Sequence, residues 1–499
     1  MSDEKLVRGL GRFDFTAIVV NTVIGAGIFG LPAKVFAQIG SWSLVAFVAC
    51  ALIIGLIVLC YAEVASRFST TGGPYLYARE AFGPAVGFEV GWLYWVVRVA
   101  TFAANCNLLV TYLGFFIPGA NEGYLRIVFV SLVVLIITAV NLIGIRESAL
   151  LTNVFTIGKL LPLLVFAAVG MFFLQPANFN FDVVPDYTKF SSAVLLLIYA
   201  FVGFEASVVL SGETKEPGKT IPFGLIGGLL IVAVFYIFVQ IVSIGTLPGL
   251  ATSERPIADA ATAFLGRYGA AFITVGALIS IFANLNVGVL AATRMLFGMS
   301  EQRDLPAFFE KTNPKFKTPY VAIIATAAVI LILTIQSSFL TAVAIATITR
   351  LIVYATTCLA LPIFRYRSAD NPDRPAEIPA APFSVPLGVG AALLSIALII
   401  WLLTNVDFAK EGIAVLVVAV IGLVIFGLFR LYQHSKVAFA VARSIAEVVV
   451  LIALFGWVYA NPTNFWLTIV TATAVVAVGL SLLATFKLLR RYKSEPEEL

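Results

Sequence analysis

The chain has 499 residues, of which 61% are hydrophobic and 12% charged, with a mean hydropathy of +1.02. That composition excludes a string of soluble domains and indicates a polytopic membrane protein. The formal net charge of +5, from 32 Lys and Arg against 27 Asp and Glu, gives no reason to expect nucleic acid. The basic residues sit in short segments beside apolar runs, where orientation in the bilayer accounts for them. The four cysteines, Cys50, Cys60, Cys106 and Cys358, lie in apolar runs without CxxC spacing, so neither a disulfide framework nor a metal cluster is expected.

The apolar runs lack the ten-residue alternation of barrel strands, so the fold class is all-α. Spans are expected at 14–38, 44–67, 84–115, 124–144, 150–174, 190–211, 221–247, 270–299, 319–336, 341–364, 386–404, 412–431, 440–460 and 464–486, about fourteen transmembrane helices in all. The first follows a charged start without a small-residue cleavage site and reads as a retained helix rather than a signal peptide. With the N-terminus inside, only Arg126, Lys189, Arg255, Arg267 and Lys410 fall in external loops. Lys34, Arg98, Lys159, Arg294 and Arg350 lie within or at the edges of spans, and the remaining Lys and Arg are cytoplasmic. This asymmetry predicts both termini in the cytoplasm.

Two helices carry interruptions. Gly25, Gly27 and Gly30 crowd the first span, where each glycine costs about 1 kcal/mol of helix propensity. Tyr199-Ala200-Phe201-Val202-Gly203-Phe204-Glu205 breaks the sixth with a glycine and an acid. The breaks open two consecutive five-helix sets, 14–174 and 190–364. Matching interruptions in opposed repeats point to a substrate site at the membrane midplane. The flanking ranges are a 1–13 cytoplasmic N-terminus, four additional helices over 386–486 and a 487–499 tail.

A broken helix offers unpaired amides at one end of the gap and unpaired carbonyls at the other, with matching dipole signs. The amides of Ala26, Gly27 and Ile28 suit a carboxylate. The carbonyls of Val23 and Ile24, with Ala200, Phe201 and Val202, suit an ammonium, and Gly25 lies at the break itself. The competing reading of Gly-x-Gly is close helix packing. Tyr199 and Phe204 flank the second break as candidate gate or pocket walls. Lys159 lies about 14 Å into the fifth span, too deep to snorkel. It either substitutes for a coupling cation between the first, fifth and eighth spans, cycles a proton, or is held structurally by backbone carbonyls. Arg98 is equally deep in the third span and needs an acid, for which Glu205 is the candidate, as a structural pair or as a gate. Glu63 and Glu89, nearer span ends, read as interfacial or structural.

Gly25-Ala26-Gly27-Ile28-Phe29 resembles the helix-1 signature of the amino acid-polyamine-organocation (APC) superfamily. Further likenesses are Tyr61-Ala62-Glu63 with Thr71-Gly72-Gly73, Phe201-Val202-Gly203-Phe204-Glu205, Glu213-x3-Pro217-x-Lys219-x-Ile221-Pro222, and Arg294 with Asp304-Leu305-Pro306. The resemblance covers spans one to ten well and the last four weakly. It implies a LeuT-like 5+5 inverted repeat and transport of amino acids or related amines by alternating access. Lys159 matches a helix-5 lysine that replaces a sodium ion in many relatives, implying sodium independence. Glu205 matches the helix-6 acid linked to proton sensing in acid-resistance arginine exchangers. Arg98 departs from the cationic amino acid carriers, and a fixed positive charge there disfavours lysine or arginine, although a fourteen-span count resembles those carriers.

The implied protein is a secondary amino acid permease of the cell membrane, working by proton coupling or exchange, with an amino acid substrate, protons and the lipid bilayer as expected partners, a partner subunit left open, and no cofactor. The rivals are a non-transporting amino acid sensor on the same fold and a polyamine or cationic amino acid carrier. An enzyme is not expected. Gly218-Lys219-Thr220 lacks the first P-loop glycine, the position being Glu213. The single histidine, His434, lies in a basic loop, and neither HExxH nor GxSxG occurs.

Overall fold

The computed structural model describes residues 10–68, 72–144, 149–368 and 380–434. The first expected span is two helices, α1 (Arg12–Val23) and α2 (Ala26–Ile39), parted at Ile24 and Gly25. There follow α3 (Ser43–Ser66), a short α4 (Gly73–Phe82), α5 (Pro84–Leu113), α6 (Gly123–Ile143) and α7 (Ala149–Gly170). The sixth span is also broken. α8 (Tyr187–Ile198) runs into a 3-10 turn at Tyr199–Phe201, and α9 (Phe204–Ser207) resumes beyond Val202 and Gly203. The remaining helices are α10 (Pro217–Thr246), α11 (Pro256–Glu301), α12 (Tyr320–Gln336), α13 (Phe339–Arg367), α14 (Gly388–Leu403) and α15 (Ile413–His434).

Among the described residues there is no strand, only one isolated bridge between Leu10 and Thr214. Among the described residues, eight helical stretches are long and apolar enough to cross a membrane. The chain is therefore an all-α, multi-pass membrane protein. The expected spans 440–460 and 464–486, the tail and residues 1–9 lie outside the described residues.

Two departures from the sequence expectation concern helix that lies outside the apolar runs. The eighth span, expected from 270, belongs to a helix that starts at Pro256 and kinks at Gly266, whose φ of +65° only glycine adopts readily. Proline at its first turn initiates it, and Arg267, expected in an external loop, falls within it. Likewise α4 lies between the expected spans 44–67 and 84–115, with Arg79 and Glu80 interrupting its apolar pattern.

α5 is the central element. Almost its whole length is buried, with α11, α12, α13 and α15 packed around it. α10 receives α1 and α3, while α7 lies against α11 and α10. At the periphery α6 turns Leu132, Leu135 and Ile136 outward. An apolar face of that kind is stable against acyl chains rather than water. Buried within the bundle are Glu63, Arg98, Lys159, Glu205, Asp304 and Arg350, and each must find partners there.

Candidate functional site

At the first break, Ile24 (φ −70°, ψ 93°) and Gly25 (φ −125°, ψ −149°) leave the helical region. The amides of Ala26, Gly27 and Ile28 occupy the first turn of α2, where no intrahelical acceptor exists. They form the positive end of that helix dipole. At the second break, Gly203 has φ +121° and ψ −22°. A Cβ there would lie 2.3 Å from the Thr22 carbonyl oxygen, and one on Gly27 would lie 2.7 Å from Ala200 Cα. Glycine is thus what lets the two broken helices touch, so close packing and the helix break are two aspects of the same residues.

Between the breaks lies a cavity of about 30 Å³, lined by Thr22, Val23, Gly25, Ala26, Gly27, Arg98, Thr101, Asn105, Tyr199, Val202, Gly203, Asn284 and Arg350. Expected residues Val23, Gly25, Ala26, Gly27, Tyr199, Val202 and Arg98 meet there. Ile24, Ile28, Ala200, Phe201 and Phe204 do not line it. The Phe204 ring turns away, 5.3 Å from Tyr61 and 5.2 Å from Tyr354, and Phe201 packs 5.3 Å from Tyr236. The carbonyls of Val23 and Ile24, expected to suit an ammonium, each already accept one hydrogen bond. Val23 O accepts from Tyr236 Oη at 3.2 Å, and Ile24 O accepts from Lys159 Nζ at 3.0 Å.

Lys159 also donates to Asn21 O. Its ammonium therefore rests on the C-terminal carbonyls of α1, where the dipole is negative. A second cavity of about 60 Å³ adjoins it, sharing Thr22, Arg98, Gly203 and Asn284 with the first. Asn284 on α11 brings the eighth span to this place, as expected for a position between the first, fifth and eighth spans.

Glu205 is the hub of a buried network. Its Oε2 accepts from Gly203 N at 2.9 Å and from Tyr354 Oη at 2.8 Å. Its Oε1 accepts from Arg350 Nε at 3.1 Å and from Arg98 Nη2 at 3.4 Å. Arg98 also donates to Tyr94 Oη, and Arg350 Nη2 donates to Thr101 Oγ1 at 3.2 Å. The expected Arg98–Glu205 pair is present, but Arg350 is the nearer partner and the sequence reading missed it. A usable signal existed. Arg350 lies about 16 Å along α13 at 1.5 Å per residue, on the polar stripe Thr347, Arg350, Tyr354, Thr357, all buried. Its counterpart on α5 is Tyr94, Arg98, Thr101 and Asn105, one helical face. Also missed was the relay in which Tyr199 Oη donates to Asn105 Oδ1 at 2.6 Å and Asn105 Nδ2 to Asn284 Oδ1 at 2.8 Å.

On one side the central cavity is separated from a larger one of about 510 Å³, to which Gly30, Leu108 and Phe339 contribute. The partition is the Phe339 ring set perpendicular to Tyr199 at 6.4 Å. Elsewhere, two ionic clusters tie helices together. Glu63 is clamped by Arg365 Nε and Nη2 at 2.7 Å each and accepts from Val385 N at 2.8 Å. Asp304 holds Arg79 at 3.0 Å and Arg430 at 3.6 Å, and accepts from Tyr75 Oη at 2.7 Å. Burial and the Asp304 carboxylate push the Tyr75 phenol up, so it remains a donor. Glu89, by contrast, has both carboxylate oxygens buried without a hydrogen-bond partner.

The description "Amino acid permease" fits residues 10–426. The chain is 30% identical to the serine/threonine exchanger SteT of Bacillus subtilis over 404 residues, covering 78% of this chain and 90% of that protein. It is 29% identical to the branched-chain amino acid permease BcaP of the same organism, over 64% of this chain and 73% of that one. It is 30% identical to the methylthioribose transporter of B. subtilis, over 64% and 72%. These relatives are permeases and transporters rather than enzymes, and with the family fit they carry the APC resemblance to a conclusion: the chain belongs to the amino acid permease family.

Proposed function

We propose that the protein is a secondary active amino acid transporter of the cell membrane working by alternating access. Spans 14–174 and 190–364 form two inverted five-helix repeats, the four C-terminal helices complete a set of about fourteen, and both termini are cytoplasmic. The observation that carries this reading is the meeting of two helix breaks over one cavity, with the free amides of α2 on its wall. Those amides take the substrate carboxylate. Val23 O and Ile24 O each hold a partner, Tyr236 and Lys159, and Val202 on the cavity wall offers its carbonyl to the ammonium.

Lys159 supports sodium independence, because its ammonium already supplies a cation at the carbonyl end of α1. Coupling then falls to protons or to an exchanged amino acid. In alternating access the Tyr199–Phe339 partition opens one route and movement about the α1 and α9 ends opens the other. Two of the relatives are named for amino acids and one for methylthioribose, so family membership leaves the solute to the site. A cationic substrate is disfavoured by Arg98 and Arg350 in the wall.

Ala26→Pro tests the carboxylate site. Proline is tolerated at the first helical position and deletes only that amide donor. The expected result is at least about a tenfold loss of amino acid affinity, with the purified protein still monodisperse. Unchanged affinity would contradict the assignment of α2 as the carboxylate site.

A further inference from the structure

We propose that the cavity selects amino acids bearing a side-chain carboxylate, with Arg350 and Arg98 as the groups that read it. This rests on the transport reading above and names the substrate class of the same site.

Arg350 is 1% exposed and lines the cavity, yet its Nη1 has no hydrogen-bond partner. Arg98 is 7% exposed, lines the same cavity, and leaves its Nε without one. The acid in contact with both is Glu205, whose two oxygens already accept from Gly203, Tyr354, Arg98 and Arg350. One carboxylate thus serves two guanidiniums. A guanidinium does not shed its proton in a protein, so the pair leaves one buried positive charge unbalanced even when Lys159 is neutral. An unbalanced buried charge is costly, and an open N–H beside it is a donor waiting for an acceptor.

A zwitterionic substrate adds no net charge and leaves that imbalance in place. An acidic amino acid brings one further negative charge. Its α-carboxylate goes to the amides of α2, and its side-chain carboxylate goes to the wall formed by α5 and α13. There the planar, forked donors of arginine match a carboxylate better than a point charge does. The geometry also explains why Glu205 is held from four directions. It positions the guanidiniums and lowers the cost of keeping them empty between substrates.

The test uses the full chain in proteoliposomes near pH 7.5, measuring uptake of labelled aspartate against asparagine and glutamate against glutamine. Members of each pair are nearly equal in size, so the comparison isolates charge. The expected result is a preference of about ten- to hundredfold for the acids, falling toward one in Arg350→Gln. Uptake of the amides at or above the rate of the acids by the native protein overturns this inference while leaving transport intact. Failure to bind or move any amino acid overturns both readings. An Arg350→Gln protein that does not fold leaves the decision with the native ratio.

Discussion

Lys159 Nζ on α7 donates to the Ile24 carbonyl at 3.0 Å, which seats a buried ammonium on the end of α1. Loading that helix end with a protein cation joins two features of the account, because a change in the lysine is felt at the first helix break.

Removing the charge should therefore separate coupling from binding. In Lys159→Ala, proton-gradient-driven uptake is expected to fall more than about tenfold while substrate affinity changes by less than that. Gradient-driven uptake equal to the native protein's would show that the lysine is held structurally. Side-by-side uptake and equilibrium binding on one preparation distinguish the two.

Gly203→Ala places a Cβ 2.3 Å from the Thr22 oxygen at a backbone φ of +121°. A non-glycine residue in such a conformation costs on the order of 1–3 kcal/mol, and the clash adds to it. A lowered thermal unfolding midpoint in detergent and loss of uptake are expected. A native midpoint would mean that the contact between the two breaks is not tight.

Much of this arrangement was legible in the chain, and the exceptions have physical causes. The break in the first span was visible because three glycines fall within six residues, and Lys159 because charge at that depth needs a reason. Arg350 is just as deep, but in a span count it served only as a residue of uncertain side, and its polar stripe with Thr347 and Tyr354 went unread. Phe204 flanks the second break yet points to Tyr61 and Tyr354. Where a side chain points beyond a break depends on the dihedrals at Val202 and Gly203, which composition does not encode. The helices of α4 and the first half of α11 carry charges and lack an unbroken apolar run, so hydropathy alone passes over them.

Phe339 and Tyr199 part the central cavity from the larger one. Phe339→Ala in an Asn105→Cys, otherwise cysteine-free background is expected to raise labelling of position 105 by a membrane-impermeant thiol reagent by about tenfold or more, added from the side of the larger cavity. An unchanged rate would move the barrier to other residues.

Glu63 is buried and clamped through both oxygens by Arg365. Arg365→Ala should cost on the order of 3 kcal/mol, because it strips the nearest cation from a buried carboxylate. The double variant with Glu63→Gln should recover part of that loss. Additive losses in the double-variant cycle would show that the two side chains are not coupled.

The central claim is sodium-independent transport through the paired helix breaks. Its most direct measurement is uptake of a labelled amino acid panel into proteoliposomes, with sodium, the pH gradient and internal amino acid varied independently. The account predicts uptake without sodium, driven by an inward proton gradient or by internal amino acid. An absolute sodium requirement would contradict the role given to Lys159, and binding without uptake under any gradient would contradict transport itself.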